Sequence, residues 1–126
     1  MRTIWDMAAP VHNGVVTCEF GVAGRHGPHP GRDYRAAHGT PVRATLAGVV
    51  VRVEGDEVVV ESNAIWHVYG HLTEFAVRRG DTVETGDRLG LAVGPNLHYE
   101  ERTNPYRPGD HRSPQFDLHP NARLPS

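Results

Sequence analysis

The stretch TPVRATLAGVVVRVEG (Thr40–Gly55) runs through Asp56 into EVVVES (Glu57–Ser62), and these residues decide the fold class. β-branched side chains dominate both segments, and such side chains fit a pleated sheet better than a helix. Glu54-Gly55-Asp56 between two valine-rich runs reads as a tight hairpin turn. Gly48 divides the first segment into two β-rich halves and marks a bulge or bend. Outward from this hairpin the pattern continues: VVTCEF (Val15–Phe20) alternates, IWHVYGHL (Ile65–Leu72) is aromatic and β-branched, and RLGLAV (Arg88–Val93) and LHYEER (Leu97–Arg102) complete the set. No segment holds a 3.6-residue period over three turns; LTEFAVRRG (Leu72–Gly80) has room for a single short helical turn. Short strands at close intervals, punctuated by 10 prolines and 14 glycines, predict an antiparallel all-β domain.

The 126 residues fit one domain, 1–126, with its core over about 10–102 and an irregular wrap over 103–126. Within that wrap Phe116–Pro120 is a candidate final strand. Hydrophobic content is 38%, and no apolar run approaches the roughly 20 residues that span a membrane. Met1–Pro10 has no apolar core of the signal-peptide kind, which predicts a protein made in the cytoplasm. A formal net charge of −2, without a basic run or a basic stripe interleaved with aromatics, excludes nucleic acid as a partner. All 13 cationic residues are arginine. The single cysteine, Cys18, makes no internal disulfide, and its alternating context predicts a small buried strand residue.

Nine histidines stand out. In HGPHPGRDY, His29 and Asp33 lie four positions apart; Pro30 and Gly31 argue against a helix, so a turn must aim both side chains. One imidazole and one carboxylate are two of the three protein ligands of a catalytic zinc, but alone such a pair is more often a turn hydrogen bond. His98 sits in LHYE on a strand; with Leu97 and Tyr99 facing the core, His98 and Glu100 face the other side. His71 follows Gly70 at the end of a β-rich run, placed for proton transfer or for oxyanion donation, or simply as an exposed strand end. His12, His26, His38, His67, His111 and His119 are assigned surface or structural places, with His26 near His29.

Taken together and in order, these segments resemble the M23 family of zinc metallopeptidases, the lysostaphin-like peptidoglycan endopeptidases. The resemblance covers Pro10 to about Arg102. It rests on HxGxD at His29–Asp33, GTPVRA at Gly39–Ala44, Gly70-His71, GDxVxxGDxLG at Gly80–Gly90, and GPxLHYE ending at Glu100. It implies an antiparallel β fold with a groove-lined Zn2+ site. His29, Asp33 and His98 match the family's zinc ligands, and His71 matches its catalytic histidine. Asn96 stands where the second catalytic histidine belongs.

The resemblance further implies a monomeric zinc endopeptidase that cuts peptide cross-links of bacterial peptidoglycan. With no signal peptide, a phage endolysin or virion-associated lysin, brought to the wall by phage machinery, is the expected setting. Asn96 opens the alternative of a weakened or inactive module that binds peptidoglycan, since an amide takes up no proton near neutral pH. His111 is a candidate substitute base. A biotinyl or lipoyl carrier, suggested by VRRGDTVETGDRLG, is excluded because the chain has no acceptor lysine.

Overall fold

The valine-rich hairpin at Gly55 forms as read. The computed structural model describes residues 8–12, 14–21, 23–24, 27–28, 31–103 and 111–112. Among them there is no helix, hence none long and apolar enough to cross a membrane. The strands are β1 (Val16–Cys18), β2 (Ala23–Gly24), β3 (Gly27–Pro28), β4 (Arg32–Arg35), β5 (Pro41–Arg43), β6 (Gly48–Glu54), β7 (Glu57–Ser62), β8 (Ile65–Gly70), β9 (Leu72–Thr73), β10 (Thr82–Val83), β11 (Arg88–Ala92), β12 (Asn96–Arg102) and β13 (His111–Arg112). The main sheet has the order β1-β4-β12-β8-β7-β6-β10, with β13 also pairing β12; a second sheet has the order β5-β11-β9, and β2 pairs β3. Every ladder is antiparallel.

Gly55 turns the β6–β7 hairpin at φ 62°, where a side chain would cost most. Gly48 is not the bulge: β6 begins there, the preceding half forms β5 in the other sheet, and the register shifts between Val50 and Arg52. Glycine at 48 serves close approach, because a Cβ there would lie 2.9 Å from Val60 Cγ1. The helical turn expected in Leu72–Gly80 is absent. Backbone donors there go to distant carbonyls instead, Ala76 N–H to Leu89 O on β11 and Leu72 N–H to Asp56 O in the β6–β7 turn, and this tertiary pairing overrides a weak local preference. Cys18 is partly exposed rather than buried, since β1 lies at the edge of the sheet.

Alternation along each strand divides the main sheet into two faces. Leu97, Tyr99, Tyr69, Val58, Val60 and Val50 point inward and join Val42, Leu72, Leu89 and Ala92 in one buried cluster. That core holds a polar chain. Thr45 Oγ1 lies 2.9 Å from Tyr69 Oη and 3.0 Å from Tyr99 Oη, and Tyr99 donates to Glu101 Oε2 at 2.6 Å. His67 Nδ1 sits 3.0 Å from Tyr99 Oη. Because Tyr99 donates to Glu101, one order of donors runs through the chain: Tyr69 to Thr45, Thr45 to Tyr99, Tyr99 to Glu101. Burial, above all, pushes both phenols above their ordinary pKa.

Candidate functional site

The opposite face of β12 carries the candidate site. Antiparallel pairing with β4 sets His98 directly across from Asp33 and Asn96 across from Arg35. Residues opposite one another share a face, and with Tyr34, Leu97 and Tyr99 committed to the core, Asp33 and His98 must turn outward together. Asp33 is therefore aimed by a strand, not by the turn the Pro-Gly dipeptide suggested. His98 Nδ1 lies 2.7 Å from Asp33 Oδ1, and His98 Nε2 lies 2.9 Å from Glu100 Oε2. Glu100 Oε1 accepts from Arg102 Nε at 3.3 Å. Burial alone would lower the His98 pKa, but its hydrogen bonds to Glu100 and Asp33 outweigh burial and raise it. For Glu100, burial works upward, yet the His98 hydrogen bond and the Arg102 charge pull the carboxyl down to about 2.

His71 follows Gly70, the residue paired with His98 across β8 and β12. Its φ of 68° is in the left-handed region, which costs a non-glycine residue about 1–3 kcal/mol. Two backbone hydrogen bonds hold it there: Leu72 N–H to Asp56 O and Val93 N–H to His71 O, both 2.8 Å. The His71 ring stands edge-on to His98 with centroids 6.3 Å apart. Its Nδ1 faces Asp56 Oδ2 at 3.4 Å, with both side chains exposed. Asn96 opens β12, and its Oδ1 accepts from Thr17 Oγ1 at 3.3 Å. Asp33, His71 and Asn96 line one cavity of about 260 Å³ with Gly94 and Pro95. Gly94 sits at φ 85°, and a Cβ there would approach His38 N to 2.7 Å, so the cavity wall requires glycine on both counts.

Of the five residues singled out in the sequence, four gather here: Asp33 and His98 in contact, His71 and Asn96 across the cavity. His29 lies outside the described residues, as do His26, His119, the candidate strand Phe116–Pro120 and the side chain of His111. His38 is exposed and holds Val93 O at 2.9 Å, His12 is exposed, and His67 is buried in the core chain. Sequence reasoning gave three neighbours no role, although it set Glu100 on the same face as His98. Glu100 had a signal, its two-residue spacing from His98 on one strand face. Thr17 and Asp56 had none, because they arrive from other strands and turns.

Among the described residues no group of three or more His, Cys, Asp or Glu is arranged to hold a metal ion. Two donors nonetheless fit one. An imidazole nitrogen and a carboxylate oxygen converge within 2.7 Å beside an open cavity, and that donor chemistry suits zinc.

A model of peptidase family M23 matches residues 27–109, and the chain belongs to that family. It is 35% identical over 91 residues to the peptidoglycan DD-endopeptidase ShyB of Vibrio cholerae, covering 63% of this chain and 21% of ShyB. The chain thus spans about a fifth of the length of the curated relatives it matches. Among solved structures, a mutant catalytic domain of the prophage-encoded M23 protein EnpA from Enterococcus faecalis superposes with a TM-score of 0.72 at 31% identity, covering 85% of this chain and 95% of that one. The antimicrobial peptidase lysostaphin from Staphylococcus simulans shares the fold, with a TM-score of 0.74 at 24% identity over 88% of this chain and 55% of lysostaphin. The all-β, lysostaphin-like architecture expected from the sequence is the one found.

Proposed function

We propose that this protein is a zinc-dependent endopeptidase that cuts peptide cross-links of bacterial peptidoglycan. One observation carries the reading: Asp33 Oδ1 and His98 Nδ1 meet at 2.7 Å beside a cavity that His71 and Asn96 also line. The likeness to ShyB supports the choice of peptidoglycan. In this reading His29, Asp33 and His98 hold the ion. Bound there, zinc lowers the pKa of a water molecule toward about 7 and polarises the scissile carbonyl.

The remaining work falls to this chain's side chains. His71 presents Nδ1 to Asp56, so Nε2 is the nitrogen left to take the proton of the attacking water and pass it to the leaving amine. Asn96 accepts no proton. Its Oδ1 is engaged by Thr17, which leaves the amide NH2 to donate to the developing oxyanion. The protein acts as a monomer on the cell wall, as a phage-type lysin; likeness to the prophage-encoded EnpA supports that setting.

The test is mass spectrometry of fragments released from purified peptidoglycan by the protein, by His71→Ala and by Asn96→His. The expected result is cleaved cross-links from the protein, a loss of about 10²–10⁴-fold in His71→Ala, and faster release from Asn96→His. Release by Asn96→His alone would make the natural chain a binding module. No release by any of the three, on several peptidoglycan types, would refute the peptidase reading.

A further inference from the structure

We infer that Glu100, braced by Arg102, is the positioning residue that presents His98 to the metal and so sets the metal affinity of the site. The inference rests on the zinc reading above and concerns a residue that the reading leaves without a task. A histidine can bind an ion through either ring nitrogen, and the partner of the other nitrogen decides which. Here the two nitrogens are divided. Nδ1 faces Asp33 at 2.7 Å, and Nε2 faces Glu100 at 2.9 Å. A carboxylate at Nε2 keeps the proton on that nitrogen, leaving the Nδ1 lone pair for an ion shared with Asp33. The ring is also fixed in rotation, because both of its edges are held.

Three features make Glu100 a built partner rather than a chance contact. Its position two residues from His98 on β12 puts it on the same face by strand geometry alone. It is 7% exposed, and its second oxygen is taken by Arg102 Nε, so the carboxylate is held at both ends. Gly31, inside the HxGxD motif, leaves room for this strand: a Cβ at that position would collide first with the Tyr99 carbonyl and would also stand 2.8 Å from Glu100 Cγ. The geometry argues against Glu100 as a direct ligand beside Asp33, since it meets the ring on the Nε2 edge.

The measurement is zinc affinity, by competition with a chromogenic chelator, for the protein, Glu100→Ala and Glu100→Gln, with ring 15N NMR of the zinc-loaded forms. Circular dichroism melts show which variants fold. The protein is expected to bind zinc through His98 Nδ1 with the proton on Nε2. Glu100→Ala should bind about 10–100-fold more weakly. Glu100→Gln, whose amide oxygen still accepts from Nε2–H, should keep the shape and the tautomer and lose less. If folded Glu100→Gln and Glu100→Ala bind zinc as tightly as the protein, or if His98 binds through Nε2, the inference falls and the zinc reading stands. If the protein itself takes up no zinc, the zinc reading fails and the inference with it.

Discussion

Two glutamates, adjacent in sequence, face opposite sides of β12, and each is paired with a histidine. Glu100 meets His98 in the open groove, where the side chains are 9% and 18% exposed. Glu101 meets Tyr99 and, at 4.0 Å, His67 in the core, where His67 and Glu101 are 1% and 0% exposed. The chemistry is similar and the surroundings are not. In the core the hydroxyls of Tyr69, Thr45 and Tyr99 answer one another and Glu101, and the pair serves the fold. In the groove the second nitrogen of the histidine meets Asp33 at the edge of a cavity, where in the zinc reading an ion would take the place of a proton. What separates the two Glu–His pairs is what lies around them, a cavity in one case and the core in the other, not the contact itself.

Three experiments break or sharpen this contrast. Asp33→Asn attacks the groove. It should cost several kcal/mol of transition-state stabilisation, on the order of 10³-fold in cleavage, measured by fragment release. The stability of the metal-free protein should change by only about 1 kcal/mol or less, since Asp33 is partly exposed. Glu101→Ala attacks the core. Leaving the buried Tyr99 hydroxyl without its acceptor should cost about 1–3 kcal/mol in denaturant unfolding of the metal-free protein. The zinc affinity of the molecules that remain folded should be unchanged. If Glu101→Ala weakened zinc binding as much as Asp33→Asn does, the two faces would not be separate in function.

The smallest expected effect is one of pH. The folded pKa of His98 is raised above 6.5, so its stabilising contribution is complete below that value and is lost as pH climbs through the folded value. Thermal melts of the metal-free protein across that range should fall with rising pH, and the slope should flatten in His98→Asn. Zinc affinity should move the opposite way, rising as the competing proton leaves.

Much of this was legible in the sequence because strands write their faces with a period of two. Leu97 and Tyr99 inward fixed His98 and Glu100 outward, and the Gly55 turn was plain from its valine-rich flanks. What escaped depends on partners far along the chain. β5 and β6 read as one interrupted strand, but they belong to different sheets, a choice made by β11 and β7. Leu72–Gly80 has enough local character for a helical turn, yet distant carbonyls claim its donors. Asp33 looked like a turn residue beside Pro30 and Gly31 because its strand partner lies far downstream. The core chain from Tyr69 to Glu101 left no pattern either: nothing in the sequence marks Glu101 as buried until β8 supplies Tyr69 and His67 on its face.

The pairing of β4 with β12 has one more consequence. Asp33 and His98 are 65 residues apart in the chain. The hairpins β6–β7 and β7–β8 close over a few residues, whereas pairing β4 with β12 closes a far longer loop. The closure entropy of such a loop is the larger share and is met late. Two donors of the site are thus joined by the longest clasp in the main sheet, and a nascent or damaged chain without that clasp holds them apart. In the proposed zinc reading, an ion held by Asp33 and His98 would tie the clasp shut, so that metal binding and completed folding would be coupled.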